Sequence, residues 1–169
     1  MAVPNEASKV DAAHTAHATS RPPEGRAASW IICRNGGAAM NDDSLQSGVQ
    51  IRRDMFGSET TDRQIAEANG FTRPMQDVVS RYCFGETWSR PGLGRRERSM
   101  VTLAVLCALG RPQELKVHVA GALSNGATPL EIREVLLHSM VYCGVPLGVD
   151  AIRNAAEVLA QLGIDLDNL

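Results

Sequence analysis

The chain has 169 residues, 44% of them hydrophobic, which suits one globular domain with an adequate core. Its formal charge of −2 argues against a protein built to bind nucleic acid or an anionic membrane, because neither gains from a near-neutral chain. No apolar run approaches the ~20 residues that span a bilayer, so no membrane segment is expected.

Residues 1–39 are rich in Ala, Ser, Pro and Gly, with Trp30-Ile-Ile-Cys33 their one apolar cluster. Such a segment buries too little to offset its ordering entropy, so residues 1–47 are expected to be an extension to a helical domain of residues 48–169. His14 and His17 have H-x-x-H spacing in this polar stretch, which is not read as a metal site. The stretch also lacks the continuous apolar core of a secretory signal, and a cytoplasmic location is expected. Cys33, Cys83, Cys107 and Cys143 form no C-x-x-C pair, which removes the usual support for a zinc ribbon or a thioredoxin-like centre. They read as structural thiols.

From Gly48 onward the pattern is helical. Gln50–Phe56 and Thr61–Ala68 read as short helices, the second ending at Gly70. Thr72 and Pro74 open a longer one through Met75, Val78, Val79 and Tyr82 to about Trp88. Arg90-Pro-Gly-Leu-Gly94 is a loop. Arg95–Leu109 is apolar almost all round from Met100, which predicts a central buried helix stopped by Gly110. Pro112 and Gly126 then bracket a helix in its first turn and at its close. Thr128-Pro-Leu-Glu131 is a capping box that launches an apolar helix to Cys143. Gly144 breaks it, and Pro146 starts a last helix to about Leu162. No stretch alternates with period two, so the class is all-α, with short connections that favour antiparallel neighbours.

On the helix after Pro112, Arg111, Glu114 and His118 fall at i, i+3 and i+7, on one face. Leu115, Val119 and Leu123 form a neighbouring stripe expected to pack inward, and Gly121 and Ala122 leave room beside the polar face. A cation, a carboxylate and an imidazole at the edge of an apolar stripe make a candidate site. The same spacing also describes an ordinary surface ion pair.

Phe71-Thr-Arg-Pro-Met-Gln-Asp77, Tyr82-Cys-Phe-Gly-Glu-Thr-Trp-Ser-Arg-Pro-Gly-Leu-Gly-Arg-Arg96 and Arg111–Gly126 closely resemble the carboxymuconolactone decarboxylase family. So do Glu131-Ile-Arg-Glu-Val-Leu-Leu137 and Tyr142-Cys-Gly-Val-Pro146, and the likeness runs in order from about Gly48 to Leu162. It implies an AhpD-like helical bundle of about six to seven helices. Redox members of that superfamily carry C-x-x-C with a histidine four residues after the second cysteine. Counting back from His118, Glu114 and Arg111 stand at those two positions, so the redox apparatus is missing there.

The resemblance therefore implies a carboxy-lyase that needs no cofactor or metal. The expected reaction converts 4-carboxymuconolactone to 3-oxoadipate enol-lactone in protocatechuate breakdown, the β-ketoadipate route. Loss of CO₂ from the γ carbon leaves a carbanion conjugated to the lactone carbonyl, so the ring is its own electron sink. His118 is the candidate general acid or oxyanion donor, its ordinary pKa lying near neutrality. Glu114, with Glu97 and Glu86 as alternatives, would orient the imidazole and favour its charged form. Arg111, Arg90, Arg95 and Arg96 are candidates for the substrate carboxylates. Trp88 fits either a wall over the ring or a core position, and His138, four residues after Glu134, is given no chemical role. The resemblance also implies a homo-oligomer, a hexamer built as a trimer of dimers. Alternatives are a related lyase or isomerase on another lactone or enolisable ring, a thiol-dependent peroxidase partner, and a non-catalytic anion-binding oligomer.

Overall fold

The computed structural model describes residues 42–169. His14, His17 and Cys33 lie outside the described residues. Among those described, the elements are helices α1 (Asp42–Phe56), α2 (Ser58–Ala66) and α3 (Arg73–Val78), a π-helical segment (Val79–Trp88), then α4 (Arg95–Ala108), α5 (Pro112–Ser124), α6 (Pro129–Cys143) and α7 (Val145–Gln161). No strand occurs among them, and the all-α class stands. None of these helices is long and apolar enough to cross a membrane.

Helix α1 begins eight residues before the expected Gln50, so residues 42–47 belong to the helical domain rather than to the extension. Gly48 reads as a boundary in sequence because the helical pattern and the family likeness start there. In the fold it is an interior contact. A Cβ at Gly48 would run into the Ser80 carbonyl, and one at Gly85 into the Ser44 carbonyl. The two glycines let α1 and the π-helical segment approach backbone to backbone, and this is the most extensive helix pairing in the domain. Ile51, Met55 and Phe84 are buried at that crossing, with Phe56, Val79 and Trp88 packed around them.

Gly57, at φ 87°, turns the chain from α1 directly into α2, three residues before the expected Thr61. The helix expected from Thr72 to Trp88 is continuous, but its second part has π winding. The wider turn is an i→i+5 arrangement, and it is supported by Thr87 Oγ1 donating to the Tyr82 carbonyl at 2.9 Å. Ser89 closes the segment by donating to the Gly85 carbonyl at 2.5 Å.

The larger core joins α4, α5, α6 and α7. Helix α5 is its centre: Leu115 and Val119 are buried as expected, and Leu123 packs against the same core. Helix α4 is not the buried helix that its composition suggests. Ser99, Leu103 and Cys107 form one buried stripe, whereas Val101 is 56% and Leu109 67% exposed. An all-round apolar helix still needs neighbours on every side, and here the chain supplies them on one side of α4. Gly110, at φ 61°, ends it as predicted. The Thr128–Glu131 capping box is formed in both directions: Thr128 Oγ1 accepts from the Glu131 N–H at 3.2 Å, and the Glu131 carboxylate accepts from the Thr128 N–H at 2.8 Å.

The backbone crossing gives a direct test. Gly85→Ala should lower unfolding stability by about 2 kcal/mol, because the obstructing atoms are backbone and cannot rotate away. Gly70→Ala, where nothing lies within 4 Å of the added Cβ, should change it by less than about 0.5 kcal/mol. Equal urea midpoints for the two variants would refute the crossing.

Candidate active site

Arg111 caps the start of α5, and Glu114 stands in its first turn, where a carboxylate meets the positive end of the helix. The guanidinium grips the carboxylate as a fork, Nη2 to Oε1 at 2.5 Å and Nε to Oε2 at 3.2 Å. The Arg111 hydrogen bonds, followed by Glu114's own backbone N–H, hold the Glu114 carboxyl below its usual range. His118 is one turn further along and half-buried. Its ring meets the edge of Phe56 in a T-shaped contact, with centroids 5.5 Å apart and planes at 89°. Nδ1 is buried without a hydrogen-bond partner among the described residues.

This differs from the expected arrangement in two respects. Both Glu114 oxygens are engaged by Arg111, so Phe56 rather than a carboxylate sets the imidazole plane. Burial also lowers the His118 pKa, and the Glu114 charge opposes that shift without overcoming it. Burial therefore favours the neutral ring. The alternative orienting groups do not replace Glu114: Glu97 accepts from Arg96 at 3.0 Å, and Glu86 is exposed. The room expected beside Gly121 is occupied. A Cβ there would lie 2.7 Å from Met55 Cε and 2.9 Å from Phe56 Cε1, so α1 fills the space.

Trp88, Arg90 and Arg95 come together in a second place, a surface cleft of about 480 Å³ also lined by Ser47, Gln50 and Ile51. Arg90 is exposed on its loop, and its guanidinium makes no hydrogen bond or ion pair among the described residues. Its carbonyl accepts from Arg98 Nη2 at 2.9 Å, which fixes the loop without using the Arg90 charge. Arg95 is tied to Asp54 at 2.8 Å. That bond, with a second from Gln50, holds the Asp54 carboxyl below its ordinary range. Arg96 is in neither group. It bonds Glu97 and the capping-box carboxylate of Glu131, clamping the start of α4 to the start of α6.

Four rings join the two groups. Trp88 lies 5.5 Å from Phe84, Phe84 lies 5.7 Å from Phe56 edge to face, and Phe56 meets His118. Trp88 is thus both core and cleft wall. Phe56, Phe84 and Asp54 escape sequence reasoning because each acts on a residue of another element, and no local spacing encodes such a contact. Among the described residues, no three His, Cys, Asp or Glu side chains cluster as metal ligands.

Residues 73–160 match the sequence profile of the carboxymuconolactone decarboxylase family. The chain is 41% identical over 126 residues to a 4-carboxymuconolactone decarboxylase of Acinetobacter baylyi, covering 74% of this chain and 94% of that one. It is 42% identical over 107 residues to a nitrosuccinic acid decarboxylase of Metarhizium robertsii, covering 63% and 75% respectively. An uncharacterised 15.0 kDa protein of Paracoccus denitrificans is 35% identical over 121 residues, 69% of this chain and 88% of its own.

The lowered His118 pKa has a measurable consequence. Between the folded pKa and the unfolded value of ~6.5, the unfolded chain binds more protons at this residue, so stability rises with pH there. The contribution is lost as pH falls below ~6.5. His118→Gln should therefore show a shallower loss of stability than the parent in urea unfolding between neutral pH and the acid side of that window. Identical slopes would remove the burial argument.

Proposed function

Because the chain belongs to the carboxymuconolactone decarboxylase family, we propose that it converts 4-carboxymuconolactone to 3-oxoadipate enol-lactone, acting as a carboxy-lyase. The near-full-length likeness to the Acinetobacter baylyi decarboxylase carries this reading. The C–CO₂⁻ bond breaks, its electron pair spreads through the ring double bond onto the lactone carbonyl, and CO₂ leaves. A proton then joins the ring carbon α to that carbonyl. What the protein must supply is cation for two carboxylates and a donor for the developing charge and the final proton.

Arg90 offers a guanidinium without a partner among the described residues for one carboxylate. Arg111 offers the other by exchanging Glu114 for substrate. That exchange is easy because the ion pair is exposed, and exposed pairs hold together weakly. His118 rests neutral, and a dianion docking beside it raises its proton affinity, so the acid is loaded when substrate is bound. Freeing the Glu114 charge one turn away acts in the same direction. Trp88 walls the ring, Arg95 stays with Asp54 as a secondary cation, and Arg96 serves the α4–α6 clamp.

A dianionic substrate does not cross membranes unaided, so producer and consumer share a compartment, which favours the cytoplasm. Phe71 in the turn before α3, Met75 and Val78 on α3 and Tyr82 on the π-helical segment are exposed apolar or aromatic residues close in sequence, with Phe71 93% exposed. These residues support a homo-oligomer, a hexamer by family likeness. The nitrosuccinic acid decarboxylase relative favours a second reading: a dicarboxylate whose carbanion is delocalised onto a nitro group in place of a lactone carbonyl.

Incubating the pure protein with the lactone should release CO₂, whereas 2-nitrosuccinate should react poorly; the reverse preference selects the second reading. His118→Ala should lose on the order of 10²-fold or more in kcat while remaining folded. Arg90→Ala should act mainly on KM. A His118→Ala variant with parental turnover would remove this residue from the chemistry. In light scattering the protein should have about six times the 18.2 kDa chain mass, and Met75→Glu with Tyr82→Glu should reduce it. A single-chain mass for the parent would rule out assembly.

A further inference from the structure

Two thiols that are far apart in sequence meet where α4, α6 and α7 converge. Cys107, in the last turn of α4, and Cys143, the last residue of α6, have their sulfurs 3.9 Å apart. Cys107 Sγ also faces the Leu147 carbonyl in the first turn of α7 at 3.9 Å, and Cys143 Sγ faces the Gly144 carbonyl at the same distance. Cys107 is buried, whereas Cys143 is half-buried and borders a cleft lined by Ala104, Val105, His138 and Tyr142.

We propose that Cys107 and Cys143 are a redox pair that a hydroperoxide converts to an intramolecular disulfide joining the ends of α4 and α6. The sulfurs are already in van der Waals contact, and bonding needs them to close to about 2.05 Å. Rotation at Cys143, beside Gly144 at φ 99°, provides that movement. The roles of the two thiols follow from burial. Burial first, and then the neighbouring Cys143, push the Cys107 thiol up to about 11, which makes it the poorer attacking group.

Cys143 is therefore oxidised first. Its thiolate attacks the outer peroxide oxygen, the O–O bond breaks, and the alcohol or water leaves with a proton, giving a sulfenic acid. The Cys107 sulfur then attacks Cys143 Sγ and displaces hydroxide, which leaves as water with the Cys107 proton. In sum, two thiols and one hydroperoxide give one disulfide, one alcohol or water from the peroxide, and one further water. Thiol reductants reverse it.

The bond would also stiffen the base of the candidate site. The Cys107 carbonyl accepts from the Gly110 N–H at 3.1 Å, and the Leu106 carbonyl accepts from the Arg111 N–H at 3.0 Å. Fixing the end of α4 fixes the turn that presents Arg111. This inference does not rest on the decarboxylase reading, and its test reads thiols and stability rather than turnover.

The test uses the full chain carrying Cys33→Ser and Cys83→Ser, treated with a small excess of hydrogen peroxide. Both remaining thiols should disappear together, with a mass loss of about 2 Da and a peptide cross-link between positions 107 and 143. The melting temperature should rise by roughly 5–10 °C and fall back on reduction, because the bond closes a loop spanning |i−j| = 36. Adding Cys107→Ala should leave a sulfenic acid at Cys143 that dimedone traps, with no rise in melting temperature. Mapping the cross-link in the unsubstituted chain checks the result if the serine background is unstable. Retention of both thiols, further oxidation of Cys143 with Cys107 still free, or a cross-link between chains would each overturn the proposal.

Discussion

The backbone contact between α1 and the π-helical segment sets the position of nearly everything at the candidate site. With Gly48 and Gly85 facing Ser80 and Ser44, the two helices lie closer than side chains would allow. That depth brings the end of α1 against α5, where Met55 and Phe56 fill the space left by Gly121. Phe56 then lies edge-on to His118 and Phe84 edge-on to Phe56. Three glycines on three elements thus act together. A methyl group at Gly48 or Gly85 would meet backbone and push α1 outward, whereas one at Gly121 would displace the Met55 and Phe56 side chains that pack beside the imidazole.

The π winding belongs to the same arrangement. A regular helix of that sequence would carry Phe84, Gly85 and Trp88 round the axis at 100° steps, whereas i→i+5 spacing widens the turn. Here Phe84 and Gly85 are both buried and Trp88 is half-buried, with the tryptophan lining the cleft that holds Arg90 and Arg95. One irregular segment therefore serves as core partner for α1 and as a wall of the surface cleft.

Much of the helical frame is written locally. Pro112 and Gly126 bracket α5, Thr128 and Glu131 cap α6, and Gly110 and Gly144 stop the helices before them, because capping and positive φ are decided within a few residues. The face bearing Arg111, Glu114 and His118 is legible for the same reason. What local rules miss is long-range. Gly48 reads as an end until its neighbour across the crossing is known, and α4 reads as buried until its uncovered side is seen. Cys107 and Cys143 form no motif, yet the convergence of three helix ends puts their sulfurs in contact. Sequence reasoning pairs Glu114 with His118, four residues on, whereas the geometry gives both its oxygens to Arg111, three residues back.

That choice bears on how a half-buried histidine would serve as the acid of the proposed reaction. A carboxylate bonded permanently to His118 would keep the ring charged and compete with substrate for its proton. Here the carboxylate is held by Arg111 in an exposed pair, while burial favours the neutral ring. In the proposed reaction, a substrate carboxylate taking Arg111 would release the Glu114 charge and bring its own negative charge to the ring, and both would raise the proton affinity of His118. The proposed exchange trades one Arg–carboxylate pair for another, so it would cost little, and the ring would gain its proton when an anion occupies the site. In the proposed reaction, proton loading would thus be coupled to substrate charge through an ion pair weak enough to exchange.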